Sequence, residues 1–127
     1  MLPPRSTVYV GCVGKDASAA QLVEACSTRE GVRTEYRIDE DHPTGRCGVV
    51  ITGHHRSMVT DLAAANHYKL EHLKSPEVWK LVENANFFYV GGYHLTVCVP
   101  AILALAEHAA ETNKVAPAPS GLYEQRL

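Results

Sequence analysis

From Thr7 to Gly14 the chain reads Thr-Val-Tyr-Val-Gly-Cys-Val-Gly, a continuous apolar run closed by glycine. Such a run predicts a strand buried on both faces in a parallel sheet. Ala19, Leu22, Val23 and Cys26 then fall at i, i+3, i+4 and i+7, one face of a helix near 17–29 that Gly31 stops. Val32, Thr34, Tyr36 and Ile38 alternate with Arg33, Glu35 and Arg37, which predicts a half-exposed strand of period two. A turn at Pro43-Thr44-Gly45 precedes a strand from about Arg46 to Thr52. A second turn at Gly53-His54-His55 leads to the extended run Arg56 to Thr60 and the small-residue stretch Ala63-Ala64-Ala65-Asn66. Two turn-bounded runs of this length make a hairpin. Ser75-Pro76-Glu77 opens a helix near 75–85, with Ser at the cap, Pro at the first position and a stripe of Val78, Leu81, Val82 and Ala85. Asn86 to Gly92 reads as a further apolar strand. Pro100 opens a helix near 100–112 whose buried face is Ile102, Leu105, Ala106 and Ala109.

Strands that alternate with helices predict an α/β fold with a mainly parallel sheet flanked by helices. Strands near 7–13, 87–91 and 113–116 are expected in that sheet. The runs near 32–38, 46–52 and 56–60 carry polar faces and are expected to form a separate, small antiparallel flap. Residues 1–114 read as one domain. Residues 115–127, rich in Pro, Ala and Ser, read as a disordered tail. Neither internal repeats nor low-complexity segments occur.

Composition narrows the function classes. At 127 residues the chain is one domain or part of one. A formal net charge of -2 leaves no basic footprint for nucleic acid and no polybasic signal for a membrane surface. The longest apolar runs, such as Val97 to Ala106, fall well short of a bilayer span. Cys12, Cys26, Cys47 and Cys98 are scattered without a Cys-x-x-Cys pair, which argues against disulfides or a zinc ribbon and for a reducing, cytoplasmic setting. The opening Met-Leu-Pro-Pro-Arg-Ser lacks the apolar region of a signal peptide.

Local chemistry is sparse. Arg56 stands where the second hairpin strand leaves its turn, a place from which a guanidinium reaches an anion; its bland alternative is a solvated hairpin arginine. His54-His55, with His67 and His72, lack helical i, i+4 ligand spacing and any accompanying Cys or carboxylate pattern, so a solvated turn is expected and no metal site. Gly11-x-x-Gly14 is too short for a dinucleotide fingerprint, and the sequence has no Gly-Lys-Ser/Thr phosphate loop. Asp16 is placed to cap the following helix.

As a string, residues 43–66 resemble the adenosine kinases of the ribokinase-like (PfkB) sugar-kinase family: Pro-Thr-Gly-x-Cys, then Ile-Thr-Gly-x-x-Arg-Ser, then Leu-Ala-Ala-Ala-Asn. Gly11-Cys12-Val13-Gly14-Lys15-Asp16 is similar to that family's Gly-Cys-x-Gly-x-Asp strand end. Tyr89-Val90-Gly91-Gly92-Tyr93-His94-Leu95-Thr96-Val97 is similar to its Tyr-x-x-Gly-aromatic-x-Leu-Thr-Val run. The likeness covers roughly residues 2–114, and its wording is nearer to fungal and plant members than to animal ones. It implies a partial ribokinase-like fold with a β lid. The implied activity is ATP-dependent phosphorylation of the adenosine 5′-hydroxyl to AMP in purine salvage, with ATP and Mg2+ as cofactors.

By this resemblance Arg56 closes over the transferring phosphoryl group, where planar donors offset developing charge. Cys47, Met58, Thr60 and Leu62 face the purine from the lid. Tyr93 stands at the family's stacking aromatic, usually Phe; the ring face is retained. Thr60 replaces the alanine of animal members, and His55 departs from the usual Asn or Asp. The resemblance implies adenosine and ATP as partners, a monomeric full-length protein, and a cytoplasmic location with the nucleus as a second one. The family's Asn-x-x-Glu and Gly-Ala-Gly-Asp strings, the latter carrying the catalytic base, do not occur here. The expectation is therefore an internal fragment that supplies lid and pocket wall without the base. Two alternatives stand beside it: another ribokinase-like nucleoside or sugar kinase, and a non-catalytic module that binds a nucleoside or pairs with another chain.

Overall fold

A computed structural model describes residues 3, 5–29 and 31–115 of the chain. The chain divides into two compact units, Met1–Tyr68 and Lys69–Leu127.

The first unit opens with strand β1 (Val8–Gly14), whose last three residues are buried. Helix α1 (Ala17–Glu24) follows and runs on through a π-helical turn, Ala25–Arg29. Gly31 ends it in the left-handed region (φ 62), and the Val32 amide donates back to the Cys26 carbonyl at 2.9 Å. A residue without Cβ adopts that conformation at no steric cost, and the long-range amide satisfies a carbonyl left over by the helix end. Strand β2 (Arg33–Asp39) then pairs parallel with β1, from Val8 opposite Arg33 to Gly14 opposite Asp39. β1, α1 and β2 thus form the helix-linked parallel pair of an α/β fold.

This pairing corrects the expectation that residues 32–38 belong to the flap. The period-two pattern reports a half-exposed strand but not its partner. The polar side of β2 is also not simply solvated. Arg37 donates to the Asp39 carboxylate at 2.7 Å and to the Cys12 sulfur at 3.5 Å, while Ile38 is 49% exposed. Because Arg37 and Asp39 satisfy one another, that side tolerates burial.

The flap consists of two strands, β3 (Thr44–Thr52) and β4 (His55–Ala63), paired antiparallel. β3 begins at Thr44, ahead of the expected Arg46. The bend lies just before it, where Asp39 Oδ1 accepts the backbone amides of Asp41 (3.1 Å) and His42 (3.0 Å). This local carboxylate-to-amide turn takes the place of the one expected at Pro43-Thr44-Gly45, whose last two residues already belong to β3. A 3-10 helix, Ala64–His67, ends the unit's regular structure.

The second unit is helical. A short helix α2 (Leu70–Leu73) precedes α3 (Pro76–Asn84), which buries Val78 and Val82. Ser75 occupies the cap position, yet its hydroxyl donates to the His72 carbonyl at 2.8 Å instead of accepting from α3. Helix α4 (Val99–Glu111) buries Ala101, Ala104 and Ala109. Of the expected face only Ala109 is fully buried, because the smallest side chains take the closest approach and the larger Ile102 and Leu105 lie at its margin. The stretch expected as strand 86–92 makes one parallel bridge, Phe87 with Val115. From Gly92 the chain turns into the 3-10 helix Gly92–Thr96. Of the expected tail, 115–127, Val115 is instead held in the bridge with Phe87, and the remainder lies outside the described residues. No helix among the described residues is long and apolar enough to cross a membrane.

Candidate functional site

The hairpin gathers most of the residues that the motif singled out. Its register sets Cys47 opposite Thr60, Val49 opposite Met58 and Ile51 opposite Arg56. In an antiparallel ladder directly opposed residues share a face, and faces alternate along each strand. Arg56, Met58, Thr60 and Leu62 therefore lie on the same side as Cys47, Val49 and Ile51. The Thr60 hydroxyl confirms the Cys47 pairing by donating to its sulfur at 3.2 Å. Gly45 continues the row: a Cβ there would stand 2.6 Å from the Leu62 carbonyl oxygen, so only glycine admits that approach. At the tip Gly53 takes φ +61, which closes the turn and sets Arg56 three residues along.

Both faces of this hairpin are open among the described residues. Met58 is 57% exposed on one side and Val59 80% on the other. The motif-bearing face combines apolar side chains, a hydroxyl–thiol pair and, at its outer end, the guanidinium of Arg56, which joins none of the ion pairs among the described residues. Such a face offers a flat apolar bed with one cation at its rim. Tyr93 belongs to the second unit, on the 3-10 helix Gly92–Thr96, with its ring largely exposed.

The root of the hairpin is built very differently. Asp16 Oδ1 accepts the Ala19 amide at 2.9 Å, the helix cap expected of it. The same carboxylate also accepts the Thr44 hydroxyl at 2.7 Å and, through Oδ2, the Thr44 amide at 2.9 Å. The Thr44 hydroxyl in turn accepts the Gly14 amide at 3.0 Å. These bonds, led by that from the Thr44 hydroxyl, hold the Asp16 carboxyl down at about 2. Asp39 is held still lower, first by Arg37 and then by His42, whose Nδ1 lies 2.9 Å from Oδ1. His67 stacks on His42 with ring centroids 3.7 Å apart, so it serves packing. No group of three or more His, Cys, Asp or Glu side chains among the described residues is placed to hold a metal.

Both carboxyls lie below the unfolded aspartate value near 3.9. Their contribution to stability is therefore full at neutral pH and is lost as pH falls through about 4 toward 2. Urea unfolding followed between those pH values is expected to show this loss. Asp39→Asn lowers stability at pH 7 and makes the acid loss shallower by about one proton. An unaltered acid slope in that variant contradicts the assignment.

The sequence profile of the pfkB family carbohydrate kinases matches residues 4–125. The chain belongs to this family. Within it the chain is 50% identical over 116 residues to the adenosine kinase of Schizosaccharomyces pombe, an alignment covering 90% of this chain and 34% of that protein. Adenosine kinase 2 of Arabidopsis thaliana is 46% identical over 112 residues, covering 88% and 32%. Among solved structures, Anopheles gambiae adenosine kinase in complex with P1,P4-di(adenosine-5) tetraphosphate superposes with a TM-score of 0.82 at 39% identity, over 89% of this chain and 33% of that one. This pfkB-family chain thus has a ribokinase-like α/β fold and spans about a third of the length of the relatives it matches. Asp16, Thr44, Asp39 and Arg37 were not singled out as a group by their spacing. Only the Asp16 cap had a local signal: its contact with Thr44 joins residues 28 apart in sequence, and the Arg37–Asp39 pair, two residues apart, reads as part of an ordinary alternating polar face.

Proposed function

We propose that this chain supplies the lid and purine-facing wall of an adenosine kinase, which transfers a phosphoryl group from ATP to the adenosine 5′-hydroxyl. The observation that carries this reading is the single hairpin face that holds Cys47, Met58, Thr60, Leu62 and Arg56 together. Four of these offer packing and one hydroxyl against a purine, and the fifth offers a planar cation for phosphoryl oxygens. Tyr93 is assigned a stacking role toward an aromatic base, since its ring is exposed and needs no polar partner for that purpose. ATP is the phosphoryl donor in this reading and Mg2+ its usual companion. The described residues gather no ligand set for the metal, and the chain has no phosphate loop. No step is therefore assigned to Mg2+ on this chain.

Met58 provides a direct test. Apart from Met1 it is the chain's one methionine, and its methyl group gives a resolvable proton–carbon signal. Titration of the 127-residue chain with adenosine is expected to shift the Met58 methyl, whereas D-ribose or D-fructose leaves it in place. A shift with the free sugars and none with adenosine supports a sugar kinase instead. No response to any of them removes the nucleoside-binding role from this face.

A further inference from the structure

The hairpin is open on both faces yet tightly held at one end, and Asp16 is central to that end. Its two carboxylate oxygens receive the Thr44 hydroxyl and the Thr44 amide, the first residue of β3, at 2.7 and 2.9 Å. Thr44 is 4% exposed, and its hydroxyl also accepts the amide of Gly14, the last residue of β1. A Cβ on Gly14 would lie 2.5 Å from the His42 carbonyl oxygen and 2.6 Å from the Thr44 nitrogen. The end of β1 and the start of β3 are thus in backbone contact, and a side chain at 14 would force them apart.

The other strand is tied to the same point. Thr44 pairs with Ala63, and the Ala64 amide donates to the Pro43 carbonyl at 3.0 Å. Ala63 itself adopts φ 39, a region that L residues rarely occupy, while its amide donates to the Asp61 carboxylate at 3.1 Å. Both strands leave the body of the unit through this one knot. Beyond it, from Arg46 to Asp61, every hairpin residue is exposed.

We propose that Asp16 is a positioning residue: through Thr44 it fixes the direction in which the hairpin leaves β1, and so the direction in which the face bearing Arg56 is presented. The consequence for catalysis rests on the adenosine kinase reading given above; the mechanical role does not. Asp16 acts through Thr44 and touches neither Arg56 nor the rest of the motif face.

Hydrogen exchange on the 127-residue chain, read by peptide mass spectrometry, separates this role from the helix cap. Serine also caps helices but has a single oxygen and cannot serve Ala19 and both Thr44 donors together. Asp16→Ser is therefore expected to leave exchange in α1 and in β1–β2 within about twofold of the parent. Exchange at residues 44–48 and 59–64 should rise about tenfold, as expected for loss of charge-assisted hydrogen bonds at a local opening. Thr44→Val should reproduce that pattern, and Thr44→Ser should restore it. An equal rise across the whole first unit, or no rise at the hairpin root, overturns the proposal. The adenosine-induced shift of the Met58 methyl, measured on the same variants, keeps the two readings apart. If the parent shows no such shift while the exchange pattern holds, the kinase reading fails and the positioning role stands.

Discussion

Alanine in place of the arginine that matches Arg56, introduced into full-length Schizosaccharomyces pombe adenosine kinase, is expected to lower kcat by about 10²-fold or more, with a weaker change in the KM for adenosine. Arg56 stands at the outer end of the motif face, opposite Ile51, while Cys47, Met58 and Thr60 lie nearer the root. The residues proposed to face the purine are thus separate from the cation. Charge on the phosphoryl oxygens builds toward the transition state, whereas the contacts to the base are the same before and during transfer. Loss of a group that responds to the developing charge falls on kcat, and loss of uniform binding falls on KM. Steady-state kinetics of the purified variant decide the matter. A kcat equal to that of the parent enzyme removes the role proposed for Arg56.

The 127-residue chain assayed alone, with adenosine, ATP and Mg2+, is expected to form no AMP above background. A general base contributes about 10²–10⁴-fold, and each donor of an anion hole about 10²–10³-fold. The Gly-Ala-Gly-Asp string to which the family resemblance assigns both is missing from this sequence. Arg56 and an apolar face cannot replace them, because neither takes up the proton of the attacking hydroxyl. A coupled assay beside a full-length relative sets the scale. Turnover by this chain alone, at any rate that scales with its concentration and survives repurification, contradicts the reading of it as lid and wall without base.

The hairpin was legible in the sequence because the turn at its tip is marked by residue type, although the turn expected at Pro43-Thr44-Gly45 lies earlier, at Asp39–His42. Gly53 in the left-handed region and the alternation on either side of it are local properties, and local patterns survive folding. The shared face was implied by the family resemblance, which turns Cys47, Met58, Thr60 and Leu62 toward one ligand; the observed register sets these positions and Arg56 on one side of the hairpin. Pairing was not legible for β2. Alternation told of a half-exposed strand, but Tyr36 pairs opposite Gly11 in a parallel ladder with β1, a choice made by the helical crossover and not by the strand itself. The inward turn of Arg37 and Asp39 was hidden for a related reason. Each is costly to bury alone; Asp39 is buried and Arg37 half-buried because they bond to one another, with Arg37 also donating to Cys12. The contact of Asp16 with Thr44 spans 28 residues, beyond the reach of any local pattern. In α4 the large apolar residues drew attention, while packing favoured Ala101 and Ala104.

The single knot at the start of the hairpin has a geometric consequence of its own. Eight residue steps separate Ala63 from His55, which at about 3.3 Å per residue makes an arm of roughly 26 Å. A pivot of about 10° at its base sweeps the far end through about 4–5 Å, close to the spacing of neighbouring strands. Residues near the pivot, Cys47 and Thr60 among them, travel only a fraction of that distance, while Arg56 makes almost the full excursion. A small angular change at the base is thus magnified at the guanidinium and muted at the thiol–hydroxyl pair, so one rigid arm has a steady end and a far-travelling one.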